Sequence, residues 1–255
     1  MTEPLNIEHE GAVARIVLNR PAVGNTIDEA MAEAFASAAS DLATASSVRV
    51  VVLTGAGALF CGGGDVRAMA SAPDGASAVI DRITSNLHRG ILVLAEMQKP
   101  LVSIVNGPAA GAGLGLAILG DIVIASDTAH FTSAYTAIGM TPDGGTSWLL
   151  PRLIGLRLAL DIVLTNRRIP ADEAAKIGLV TRVVPHAELG KAERELTTRL
   201  DQGSIVASGR ARWLLATSFD RSLAVHLAIE AGAIADSAAG QEGQEGIAKF
   251  LARTR

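Results

Sequence analysis

The sequence holds a single cysteine, Cys61, among 255 residues. One thiol excludes an intrachain disulfide framework and a cysteine-built zinc cage. A basic surplus is also missing: Lys plus Arg number 22 against 26 Asp plus Glu, a net charge of −4. This argues against a general nucleic-acid binder, which neutralises phosphates with excess cations. The opening Met1-Thr2-Glu3-Pro4 has neither a basic start nor an apolar core. No secretion signal is read there, and the cytoplasm is the default expectation. Repeats of fixed period and low-complexity linkers are absent. His9, His130, His186 and His226 show no metal-ligand spacing, so no metal site is expected.

One long run lacks charge altogether. Pro100 to Gly120 carries none over 21 residues, enough to span a bilayer. Asn106, Pro108 and five glycines interrupt it. It reads better as a buried strand, Leu101–Val105, followed by a small-residue helix, Ala112–Leu119, and no membrane association is expected.

What is present is apolar bulk. Hydrophobic residues make up 49% of the chain, which supports a substantial core in one large domain or two small ones. A hairpin is expected around Glu10-Gly11, between Ile7 and the Val13–Leu18 run. Thr26 and Glu29 have capping-box spacing ahead of an Ala-rich helix from Asp28 to Ala45. Val48–Leu53 and Ile122–Ala125 read as strands. Ala76–Met97, Gly145–Leu153 and Leu156–Leu164 read as helices. Beyond Ala187 the pattern is almost wholly helical. Strands alternating with helices predict an α/β core over 1–190, with a helical segment over 191–255.

Two glycine-rich elements each follow a strand. One is Phe60-Cys61-Gly62-Gly63-Gly64-Asp65, the other Asn106-Gly107-Pro108-Ala109-Ala110-Gly111-Ala112-Gly113. Both offer backbone N–H groups at a helix start, where oxyanions bind. Tight turns and close helix packing explain the glycines equally well. A dinucleotide fingerprint fails because Leu116 stands where its third glycine belongs, and a Walker loop fails for want of Gly-Lys-Ser/Thr.

Taken in order, these elements resemble the crotonase, or enoyl-CoA hydratase/isomerase, superfamily. The landmarks are Leu18-Asn19-Arg20-Pro21 with Asn25, Leu53-Thr54-Gly55, Phe60–Asp65, Lys99-Pro100, Val105-Asn106-Gly107 and Gly111-Ala112-Gly113. They continue through Asp121–Ala125, Leu149-Leu150-Pro151-Arg152 and Ala174–Val180. The resemblance implies a spiral of ββα units and a C-terminal helical segment used for oligomerisation, as a homotrimer or dimer of trimers. It implies an acyl-coenzyme A thioester as substrate, with no further cofactor. The thioester oxygen would be held by the backbone amides of Gly64 and Ala112 as negative charge develops on it.

The family shares an oxyanion hole but not a reaction. Its hydratases use two glutamates, and those positions carry over to Gly115 and Tyr135. Neither is a general base at neutral pH. Asp143 matches an acid–base aspartate of some family isomerases. Its string, Pro142 to Arg152, is similar to that of the 1,2-epoxyphenylacetyl-CoA isomerases. The implied reaction is a Δ3 to Δ2 double-bond shift with Asp143 moving the proton. Asp143 is also a natural turn former and N-cap for the helix that follows, a structural alternative that stays open. In the family's haloaryl-CoA dehalogenases the matching aspartate is a nucleophile aided by a histidine and a tryptophan, positions that carry over to His88 and Tyr135. A hydratase relying on Asp143 alone and a non-catalytic acyl-CoA binder complete the alternatives. Tyr135, the sole tyrosine, is a candidate for the acyl pocket, as are Ala134, Ala137 and Met140. Arg20, Gly62, Arg67 and Lys249 are candidates for coenzyme A contact. Cys61 reads as a small buried residue and Asp65 as a helix cap.

Overall fold

The hairpin forms where it is expected: β1 (Leu5–Glu10) pairs antiparallel with β2 (Val13–Leu18) in a computed structural model that describes residues 3–253. Helix α1 (Glu29–Thr44) follows. Its N-cap is Asp28, whose carboxylate accepts from the Met31 amide at 2.9 Å. The capping box expected from Thr26 is not formed, because the Thr26 hydroxyl donates instead to Asp65 Oδ2. At the other end of α1 the buried Lys99 ammonium donates to the carbonyls of Leu42 and Ala45, both at 2.6 Å. A cation at a helix C-terminus satisfies orphan carbonyls there.

The chain then alternates. Strand β3 (Val50–Gly55) leads to the short α2 (Val66–Ala70) and the long α3 (Ala76–Glu96). Strand β4 (Leu101–Val105), the two-residue β5 (Ala109–Ala110), α4 (Ala112–Ala117) and β6 (Ile122–Ser126) come next. The charge-free run is therefore a buried strand and helix within the core. After β7 (His130–Thr132) come helices α5 (Thr146–Ile154) and α6 (Leu156–Thr165). Strand β8 (Ile169–Pro170), helix α7 (Ala171–Lys176) and strand β9 (Arg182–Val184) finish the core. Four helices end the described chain: α8 (Leu189–Asp201), α9 (Ile205–Ala216), α10 (Leu223–Ala239) and α11 (Gln241–Arg253). The strands β7, β8 and β9 are too short to announce themselves by periodicity.

One sheet runs β1-β2-β3-β4-β6-β9, parallel throughout except for the first pair; a small second sheet runs β5-β7-β8. Both faces of the large sheet are covered, which is why its inner strands read as unbroken apolar runs. Val51, Leu53, Leu101 and Val105 face the main core with α1 and α3. Val50, Val52, Val102 and Ile104 face the other way, against Leu189, Ala192 and Leu196 of α8. The 190/191 boundary falls inside α8. Helix α9 docks through Arg212, which donates to Asp121 and to the carbonyls of Leu94 and Met97. Helix α10 has no buried residue, and Leu223 and Ile234 are each more than 70% exposed. Among the described residues no single helix is long and apolar enough to cross a membrane; α10 and α11 reach that composition only as a pair bent by 74°.

Candidate active site

The two glycine-rich loops are stitched to one another. Cys61 and Ala109 form a parallel bridge, in which the Ala110 amide donates to the Cys61 carbonyl at 3.0 Å. Asn25 shapes the first loop from beneath. Its buried side-chain amide donates to the carbonyls of Ala56, Leu59 and Phe60, and its Oδ1 accepts from the Arg20 amide. Cys61 lies fully inside, its thiol donating to the Asn25 carbonyl, and burial pushes that thiol up to about 12. It is a structural thiol, inert as a nucleophile.

This stitching brings Gly63 against the start of α4. A Cβ placed at Gly63 would lie 2.8 Å from the Ala110 carbonyl oxygen and 3.4 Å from the Ala112 nitrogen. Gly64 follows in a parallel bridge with Ile27. The bridge bonds use the Gly63 carbonyl and the Asp65 amide, so the Gly64 amide points the other way. Ala112 is the first residue of α4, where an amide has no partner within its own helix. Among the described residues neither amide has a hydrogen-bond acceptor. Two unpaired donors on adjoining loops can stabilise a developing oxyanion.

Asp143 arrives over the same helix start. Pro142-Asp143-Gly144-Gly145 turns with φ of 57° at Gly144 and 79° at Gly145, left-handed values that glycine adopts without strain. The turn packs against Ala112, whose Cα and Cβ would each lie 3.6 Å from a Cβ at Gly144. The capping alternative for Asp143 does not hold: Gly145 is the N-cap of α5, and no side chain caps that helix. The Asp143 carboxylate instead accepts a hydrogen bond from Tyr135 at 2.5 Å on Oδ1. Tyr135 is 8% exposed, and burial, with the Asp143 charge beside it, pushes its phenol above the usual range. It is a donor, not a base.

Position 115 is closed. A Cβ there would run into the Gly144 carbonyl oxygen and lie 2.8 Å from Thr146 Oγ1. No glutamate fits between α4 and the turn as they stand. His88, half-buried on α3, accepts from the Gly144 amide through Nε2 at 3.2 Å. That bond places the proton of a neutral ring on Nδ1 and occupies the Nε2 lone pair.

Of the coenzyme A candidates, Arg20 and Gly62 both adjoin Thr26, Arg67 follows Asp65 on α2, and Lys249 lies on α11. Arg20 is held by Asp28 at 2.9 Å, Asp65 at 3.1 Å and the Thr26 carbonyl at 2.5 Å. Gly62 is exposed, and its amide donates to the Gly24 carbonyl. Arg67 is exposed on α2, and Lys249 is exposed on α11. Asp65 caps α2 through the Ala68 amide. Burial works to raise its pKa, but that amide, Arg20 and Thr26 outweigh it and hold the carboxyl below the usual range. A cleft of about 780 Å³ opens between α1, α2 and α3, lined by Asp28, Ala68, Pro73, Asp74, Val79 and Arg82. Met140 packs against the main core, and Ala137 is exposed. Among the described residues no three His, Cys, Asp or Glu side chains gather as a metal set.

Sequence reasoning placed His88 and Tyr135 with Asp143 only through the dehalogenase resemblance, and it did not specify the contacts found, His88 with the Gly144 amide and Tyr135 with the Asp143 carboxylate. The first joins residues 56 apart, and no local signal announces it. The second spans eight residues but depends on how an irregular segment folds back.

The wider comparisons agree with this architecture. The family model for enoyl-CoA hydratase/isomerase matches residues 8–255. A protein described as a probable enoyl-CoA hydratase of Mycobacterium bovis is 32% identical over 249 residues, covering 98% of this chain and 95% of the relative. The 1,2-epoxyphenylacetyl-CoA isomerase of Escherichia coli is 30% identical over 245 residues, 96% of this chain and 94% of that one. The crystal structure of an enoyl-CoA hydratase from Polaromonas sp. superposes with a TM-score of 0.93 at 29% identity, covering 98% and 97% of the two chains. The fold is the crotonase fold, and the chain belongs to the enoyl-CoA hydratase/isomerase family.

Proposed function

We propose that the protein is an acyl-CoA isomerase that moves a double bond from the Δ3 to the Δ2 position. The observation that carries this reading is a single carboxylate, Asp143, held over the start of α4 while position 115 has no room for a second. The thioester oxygen accepts hydrogen bonds from the amides of Gly64 and Ala112. Asp143 takes a proton from the α carbon, and the dienolate that forms keeps its charge on that oxygen. Protonated Asp143 then returns the proton to the γ carbon, leaving the conjugated 2-enoyl thioester. The thioester is substrate, and the reaction as written uses no further cofactor. Asp65, the sequence neighbour of Gly64, is engaged by three partners and is a poorer base. Coenzyme A contact through Arg20, Gly62, Arg67 or Lys249 belongs to the same proposal. So does assembly into a trimer or dimer of trimers, supported by the apolar, exposed helices α9 and α10.

A second reading has one observation in its favour. His88 touches the turn that carries Asp143, as a nucleophile–base pair for haloaryl thioesters would require. Against it, the Nε2 lone pair of His88 is already taken. A 3-enoyl-CoA, a 2-enoyl-CoA and a haloaryl-CoA assayed side by side separate the readings. The isomerase reading expects conjugated product from the first, with little loss of conjugation in the second and no halide from the third. In Asp143→Asn, turnover is expected to fall by about 10²–10⁴, with acyl-CoA affinity within a few-fold. Unchanged turnover in that variant would exclude Asp143 as the shuttle.

A further inference from the structure

We propose that Tyr135 is a positioning residue of the site: its phenol fixes one oxygen of Asp143 and leaves the other to carry the substrate proton. This rests on the reading of Asp143 as the proton shuttle. A free carboxylate rotates and offers two equivalent oxygens. Here the phenol O–H donates to Oδ1 at 2.5 Å and, more loosely, to the Asp143 carbonyl at 3.3 Å. The oxygen that accepts a strong hydrogen bond becomes the weaker base of the two. Oδ2 is left as the working atom, with its direction set by the bond on its twin.

The donor is itself held. Tyr135 follows Ala134, whose φ of 63° lies in the left-handed region that alanine seldom adopts. Such local strain persists only where the surroundings over-determine it. The ring comes back against the oxyanion loop: a Cβ at Gly111 would lie 3.9 Å from Tyr135 Cζ. The same side chain thus bridges the residue before the Ala112 amide and the carboxylate that serves it. His88 steadies the turn from the α3 side through the Gly144 amide. Among the described residues, Tyr135, from the segment after β7, and His88, from α3, are the titratable side chains that hydrogen-bond to the 143–145 turn. Burial and the Asp143 charge push the phenol above its usual range, so it stays a donor.

The test uses the full chain with 3-enoyl-CoA and the variants Tyr135→Phe, Asp143→Asn and His88→Gln. Phenylalanine keeps the ring and removes only the donor. Tyr135→Phe is expected to lower kcat about tenfold with KM changed less than about twofold. Loss of the donor disfavours the ionised carboxylate, so the acidic limb of kcat/KM should move up. That limb must persist in His88→Gln, which assigns it to Asp143. An unchanged kcat and an unmoved limb in Tyr135→Phe, with Asp143→Asn inactive, overturn the proposal and leave the isomerase reading standing. An active Asp143→Asn overturns the reading beneath it. A measurement without substrate decides the contact itself, because Tyr135 is the only tyrosine in the chain. The near-ultraviolet absorbance of that phenol at neutral pH should shift between the wild type and Asp143→Asn, because the acceptor of its O–H loses its charge. Coincident spectra would overturn the contact whatever the substrate.

Discussion

Two backbone amides, not side chains, do the proposed work on the thioester oxygen. Ala112 therefore stands as well as glycine would at the head of α4, because only its N–H matters. The same logic supplies a clean test at a single residue. Proline is tolerated at the first position of a helix, where its missing N–H costs the helix nothing. Ala112→Pro is thus expected to fold while losing one of the two donors, its ring occupying the space where the oxygen would sit. The value of kcat/KM for 3-enoyl-CoA should fall by about 10²–10³. A folded Ala112→Pro variant with full activity would remove Ala112 from the oxyanion hole. Asp143 makes a related point. By local sequence it is a natural helix cap, yet the fold gives its carboxylate to the Tyr135 phenol and leaves α5 without a side-chain cap.

At the scale of elements, the site depends on how closely the 143–145 turn approaches α4. Gly115 permits that approach, since the Gly144 carbonyl fills the place of its side chain. Position 115, which the resemblance matches to a hydratase glutamate, is the floor of the turn that carries Asp143. Gly115→Glu is accordingly expected to fail as a route to hydration. Forcing a side chain into a filled space costs about 1–3 kcal/mol or more, visible as a lower urea midpoint. Isomerisation should weaken as well, because the turn must move. Brisk loss of conjugation from 2-enoyl-CoA in this variant would show that the turn yields and that a glutamate can work there.

Across the whole molecule, the core is self-sufficient and the tail is not. The sheet is covered on both faces by helices of its own chain. Helix α10 has no fully buried residue, and Leu215 of α9, Phe219 between the helices and Leu223 of α10 are each 73% exposed. An apolar side chain left in water forgoes about 1.5–3 kcal/mol that burial would return. If copies of the chain cover this face, light scattering at micromolar protein should give three or six times 26.2 kDa. Leu223→Lys combined with Leu227→Lys should shift that mass toward the monomer. A monomeric wild type would refute the assembly.

Much of this was legible in order and spacing. The hairpin, the Val-rich strand, the long helices and the two glycine loops follow from periodicity and turn chemistry, which are local properties of the chain. That Gly115 and Tyr135 match the glutamate positions of the hydratases came from the family resemblance, not from local pattern. The capping box at Thr26 misled because Asp28 and Asp65 were better partners for the groups involved. Tertiary structure alone decided what lies between the landmarks. It paired Cys61 with Ala109, and so set the Gly64 and Ala112 amides on adjoining loops. It gave Asp143 to a phenol rather than to a helix end, and it gave His88 a backbone amide to hold. A hydrogen-bonding side chain takes whichever partner the fold brings within about 3 Å. That choice is made in space, between groups whose separation along the chain carries no information about their distance.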